Sequence, residues 1–161
     1  PKMVDIQYPL KKYTNLWKKN GMSDEPLLSI VVDESTRIDR ARHILAAILN
    51  GYVEISQQTG EMSLLPPVYE LPPKEQILIV LCARLAQKLL AKLPEGHDEK
   101  LSQSEVMEIL PTLPSGTVKT CLWWLRDKRF IANIDKKNCV TPAHLSRVQG
   151  RLNELQKGGL L

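Results

Sequence analysis

Residues 114–131 read PSGTVKTCLWWLRDKRFI, with two adjacent tryptophans and a group of cations in a chain that is only 5% aromatic. The proline-serine opening marks a helix start, with Ser115 expected as the cap. At about 3.6 residues per turn, Val118, Leu122 and Leu125 fall on one stripe with Cys121 beside it. That stripe is expected to pack on Leu78, Leu81 and Leu85 and on Val106 and Ile109. Lys119, Thr120, Trp123 and Asp127 lie on the opposite side, Thr117 and Ser115 at the exposed start, and Trp124 at the border. Trp124 is expected to cover the edge of the core. Leaving Trp123 in water forgoes burial worth roughly 1.5–3 kcal/mol. Three kinds of cover would recover it: thymine methyls or sugars of a nucleic acid, a second subunit, or residues 1–70 of the same chain.

Reading toward the C-terminus, residues 131–140 form two short strands around Asp135-Lys-Lys-Asn138. Thr141-Pro142 is a cap followed by proline at a first helical position. A last helix is expected to about Lys157, with Leu145, Val148, Leu152 and Leu155 on its apolar side. Reading back, SQSEVMEIL at 102–110 is a short helix capped by Ser102 or Ser104 and ended by Pro111 and Pro114. Residues 73–93 form the longest helix, apolar over more than half its circumference and so expected at the centre of a core. Pro66-Pro67 and Pro72-Pro73 bracket a stiff, extended connection, the best candidate boundary between two parts. Before it, residues 52–65 alternate about Gln57-Gln-Thr-Gly60 as a β-hairpin. Asp33-Glu-Ser-Thr36 caps a helix with Ile38, Ala41, Ile44, Leu45, Ile48 and Leu49 on one stripe, stopped at Asn50-Gly51. Residues 9–21 read as a short amphipathic basic helix. The chain therefore divides into a basic arm (1–26), a helix-plus-hairpin region (27–70) suited to dimerisation or docking, and a C-terminal domain (71–161).

The order long helix, short helix, tight turn, second helix, basic hairpin, final helix resembles the winged helix-turn-helix superfamily. The resemblance covers a little over half the chain and rests on SQSEVMEIL, PSGTVKTCLWWLRDKRFI and VTP. Arg129 departs from it, since many relatives have glycine there. It implies a mainly α fold with small β-hairpins (α+β), a C-terminal winged helix-turn-helix preceded by the helix-plus-hairpin region. It also implies a DNA-reading role for the helix at 115–129 and for a basic wing at 132–140. Ser115 and the amides at the helix start would face a phosphate. Thr117, Lys119 and Thr120 would reach base edges, with Trp123 beside them. Arg126, Lys128 and Arg129 would bind backbone phosphates, and Lys136 and Lys137 the flanking backbone or minor groove.

Charge fits a polyanionic partner. Residues 27–94 balance at seven basic against seven acidic, whereas the stretch 115–137 holds six cations against only Asp127 and Asp135. No glycine-rich phosphate loop is present, and His43, His97 and His144 fall in three different expected elements. No nucleophile–base set can be assembled, so no catalytic residue, metal or cofactor is expected. Cys82, Cys121 and Cys139 lack metal-ligand spacing and read as core thiols of a reducing compartment. No apolar run approaches the length of about 18 residues that a membrane span needs. The expected protein is a cytoplasmic (in a prokaryote, nucleoid-associated) DNA-binding homodimer that regulates transcription. The alternative is a winged-helix module that binds protein within a larger nucleic-acid-related assembly, a partner also reachable through residues 1–70.

Overall fold

Ile77, Leu78, Ile79, Val80, Leu81, Cys82 and Ala83 are consecutive and all fully buried. A helix can bury every side of itself only where neighbours surround it. The helix carrying them, α2 (Pro73–Leu89), is therefore the axle of the fold. The computed structural model describes residues 25–158. The expected arm helix at residues 9–21 lies outside them. The chain divides into two compact units, Pro1–Thr36 and Arg37–Leu161. In the first, Glu25 accepts the Leu27 N–H at 3.1 Å and opens a 3-10 turn, Pro26–Ile30.

Helix α1 (Glu34–Leu49) is capped by Asp33, whose carboxylate accepts the Thr36 N–H at 2.8 Å. Its stripe of Ala41, Leu45, Ile48 and Leu49 is buried as the spacing requires. Arg42 donates to the Leu89 carbonyl at 2.7 Å, tying α1 to the C-terminal end of α2. Strands β1 (Val53–Ile55) and β2 (Met62–Leu64) pair antiparallel, Glu54 opposite Ser63. Gly60 closes this hairpin at φ +79°, and a Cβ there would stand 2.2 Å from the Lys92 carbonyl oxygen. The buried Gln87 of α2 donates to the Gly60 carbonyl at 2.7 Å, fixing the turn to the central helix.

The proline-bracketed connection is not extended. Pro66–Glu70 is a 3-10 turn that places Val68 fully inside the core, and Leu71 follows it in. Two prolines fix φ but leave ψ free, and burying Val68 and Leu71 decides between extended and turned chain. Helix α2 also stops four residues before the expected Leu93. Ala91 takes a left-handed φ of 57°, and the Ala91 and Lys92 N–H groups turn back to the carbonyls of Lys88 and Gln87. That pairing closes a helix even without glycine at the left-handed position.

Helix α3 (Gln103–Ile109) opens with a reciprocal cap. Ser102 Oγ accepts the Glu105 N–H at 3.2 Å, and Glu105 accepts the Ser102 N–H at 2.9 Å. Helix α4 (Ser115–Asp127) follows the turn. Its cap is Pro114 rather than Ser115: the Pro114 carbonyl accepts the Val118 N–H at 3.0 Å, and no side chain caps this end. Ser115 is the first helical residue, because proline's extended ψ already makes Pro114 the entry point.

Strands β3 (Ala132–Ile134) and β4 (Lys137–Cys139) pair antiparallel. The loop is only Asp135–Lys136, shorter than the expected four residues. Both take left-handed φ, 55° and 65°, as a two-residue turn with right-handed strand twist requires. Leu101 adds one further rung, exchanging N–H···O bonds with Asn138 at 2.8 and 2.7 Å. A 3-10 turn, Pro142–His144, leads into α5 (Leu145–Lys157), which buries Leu145, Val148 and Leu152. The described residues are thus a mixed α+β arrangement of five α-helices and two separate two-stranded sheets.

Candidate nucleic-acid interface

Helix α4 packs on α2 and α3 through Val118, Cys121, Leu122 and Leu125, all buried. This fixes which residues look outward. Ser115, Gly116, Lys119, Thr120 and Asp127 are exposed, and Thr117 is half-buried. Trp123 stands 58% exposed in the middle of that outward face. Its neighbour Trp124 is half-buried and stacks on Phe130, centroids 5.9 Å apart and planes 12° from parallel. A single step of about 100° along the helix separates a side chain that closes the core from one that leaves it.

The two flanks of α4 are built differently. Arg126 leans toward the β3–β4 hairpin, donating to the Asn138 side-chain oxygen at 3.0 Å. Asn138 is buried, and the same oxygen accepts from Asn133 at 3.2 Å while its amide donates to the Leu101 carbonyl at 3.2 Å. Arg126 thus holds the hairpin against the helix, a job beyond the phosphate contact expected of it. On the other flank lie the Trp124–Phe130 stack and the starts of α2 and α5. Lys74 and Arg151 each sit 4.8 Å from the Trp124 centroid, and Arg147 sits 5.9 Å from that of Phe130. Arg151 pairs with Glu75, which is only 1% exposed. Arg147 also donates to the Lys128 carbonyl at 2.9 Å, closing the last turn of α4.

Lys128 and Arg129 are exposed at the helix end, with Lys128 4.0 Å from the Asp127 carboxylate. Arg129 occupies the left-handed position after the helix, φ 64°, with its N–H bonded to the Arg126 carbonyl at 3.0 Å. Lys136 is exposed on the hairpin turn, and Lys137 is half-buried with Glu105 at 3.9 Å. The hydrogen bond from the Ser102 backbone N–H holds the Glu105 carboxyl below its ordinary value, so it stays charged beside Lys137. The arrangement brings Lys119, Thr120 and Trp123 onto one outward face, with Lys136 on the hairpin beyond one flank. Asp127 on that face and Glu105 behind the hairpin place negative charge within the same region.

Two of the histidines serve the fold. His144 Nδ1 accepts the Thr141 backbone N–H at 3.1 Å, and His97 Nδ1 lies 3.0 Å from the buried Arg84 guanidinium. Sequence reasoning passed over Lys74, Arg147 and Asn138. The four-residue spacing of Arg147 and Arg151 on one helix was the only local sign of the aromatic cluster; Lys74 and Asn138 gain their places through tertiary contacts. Ile134, 44% exposed on β3, was likewise not singled out. No family model, no curated protein and no solved structure matches this chain.

Proposed function

We propose that this chain is a binding protein rather than an enzyme, a winged helix-turn-helix that reads duplex DNA with α4 and grips the backbone with the β3–β4 hairpin. The observation that carries the reading is the outward face of α4, where an exposed Trp123 shares a face with Lys119 and Thr120 while Val118, Leu122 and Leu125 point inward. An α-helix about 10–12 Å across fits a major groove about 12 Å wide. Lys119 supplies a donor for guanine O6 and N7, Thr120 a hydroxyl and a methyl, and Trp123 an apolar surface for a thymine methyl or sugar. Ser115 and Thr117 stand at the start of the helix, near the groove wall. Lys128, Arg129, Lys136 and Lys137 supply the sequence-independent hold on phosphates. One such unit reads a short site, so the working form in this reading is a homodimer on a two-fold operator, a transcriptional regulator of the cytoplasm or nucleoid. No helix of the described residues is long and apolar enough to cross a membrane.

The exposed apolar side chains of Trp123 and Ile134 favour a second reading, a module that presents this face to a protein. Duplex binding titrated with salt separates the two. DNA binding predicts a log–log slope of several units, because each phosphate contact releases counterion worth about 0.9. Lys136→Glu/Lys137→Glu should lower duplex affinity without unfolding the domain. Trp123→Ala should weaken duplex binding more than it affects stability. Wild-type protein with no salt-dependent affinity for random or selected duplexes sinks the DNA reading.

A further inference from the structure

Resting on the DNA reading above, we propose that the flank of α4 opposite the hairpin is a second phosphate-binding surface, in which Lys74 and Arg147 hold the other strand of the duplex. The groove has two walls, one strand on each side. At about 100° per residue, Lys119 and Arg126 share one flank of α4, and the Arg126–Asn138 bond shows that the hairpin stands there. Thr117 and Trp124 share the other flank. A helix that fills the groove presents both flanks to phosphate, so the far flank must offer either positive charge or a gap.

It offers charge held in place. Lys74 lies 4.8 Å from the Trp124 centroid and Arg147 5.9 Å from that of Phe130. The two rings are stacked and so form one aromatic cluster. Of the three cations on it, Arg151 has its charge balanced by the buried Glu75. Lys74 and Arg147 have no carboxylate partner among the described residues. Arg147 also donates to the Lys128 carbonyl, which brings the end of α4 against this flank, while the Lys128 ammonium pairs with Asp127 at 4.0 Å. Resting on an aromatic face orders a lysine or arginine without cancelling its charge. Two uncompensated, ordered cations beside the exposed end of the helix are complementary to a polyanion.

A purely structural role, fastening α5 to α4, would give the same contacts. Salt dependence tells the two apart, because it counts phosphate contacts rather than stability. Lys74→Gln/Arg147→Gln should make the duplex-binding slope shallower by about 1.8. The charge-keeping pair Lys74→Arg/Arg147→Lys should restore it, with circular dichroism melts confirming that both variants are folded. Lys136→Gln serves as the hairpin control and should flatten the slope by about 0.9 on its own. A folded Lys74→Gln/Arg147→Gln protein that keeps the wild-type slope while Lys136→Gln flattens it overturns the second surface and leaves the DNA reading intact. Wild-type protein that binds no duplex removes both. Polyglutamate binding that is lost in Lys74→Gln/Arg147→Gln, with duplex binding unaffected, would assign the flank to an acidic protein and overturn the proposal.

Discussion

Arg129 sits at φ 64° immediately after α4, and Lys136 at φ 65° in the hairpin turn. Both are left-handed positions that glycine fills without steric cost, whereas a residue with a Cβ loses about 1–2 kcal/mol there. Each is a cation in the candidate interface, so positive charge is kept where the backbone alone would favour glycine. Arg129→Gly is accordingly expected to stabilise the fold by roughly 0.5–1 kcal/mol, a rise of about 2–3 °C in melting temperature. On the proposed DNA reading, the same variant should bind duplex DNA more weakly, with a shallower salt slope. A fall in melting temperature would mean that the Arg129 side chain stabilises the fold by more than its backbone costs. That Arg129 stands where glycine is common was legible in the sequence. That it adopts the left-handed conformation regardless depends on the Phe130 N–H reaching the Leu125 carbonyl at 2.9 Å, which closes the helix whatever side chain is present.

The start of α5 shows an element held by a titrating group. His144 Nδ1 accepts the Thr141 N–H, and burial, with Arg147 adding to it, holds the His144 pKa below its ordinary 6.5. The unfolded chain therefore takes up this proton before the folded one does. The stabilisation is present above the ordinary value and is lost as pH falls from there through the folded pKa. Melting temperature is expected to begin declining as pH falls through about 6.5, and His144→Gln should flatten that part of the profile while leaving the carboxylate-driven fall at lower pH. An unchanged profile would separate the cap from the titration. Caps such as Asp33, Ser102 and Thr141-Pro142 were readable because they depend on neighbours in sequence. The ends of α2 and the Pro66–Glu70 turn were not, because Val68 turns inward only when α2 is there to receive it.

At the scale of the whole molecule, a buried cluster of the described residues runs from Ala41 and Leu45 of α1 through α2 to Val148 and Leu152 of α5. A boundary near residue 70, inferred from the prolines, falls between Val68 and Leu71, both of which lie in that cluster. Leu45→Ala should cost about 2–5 kcal/mol and shift the far-ultraviolet dichroism and tryptophan fluorescence midpoints together. Midpoints that separate would show that α1 and its hairpin unfold on their own. The α4 stripe and the outward Trp123 were visible in the sequence because helical period alone sets them. The aromatic–cation cluster was not, since Lys74, Trp124, Phe130 and Arg147 meet only once α2, α4 and α5 are packed. One consequence of that packing concerns chemistry at sulfur. All three cysteines are buried; desolvation pushes the Cys82 thiol up to about 12 and raises those of Cys121 and Cys139. Thiolate is the reactive species, so the native protein should leave maleimide reagents unconsumed. Lys136→Cys would then take up a single dye per chain at the hairpin turn, giving a marker whose emission or distance reports where that turn goes when a partner arrives.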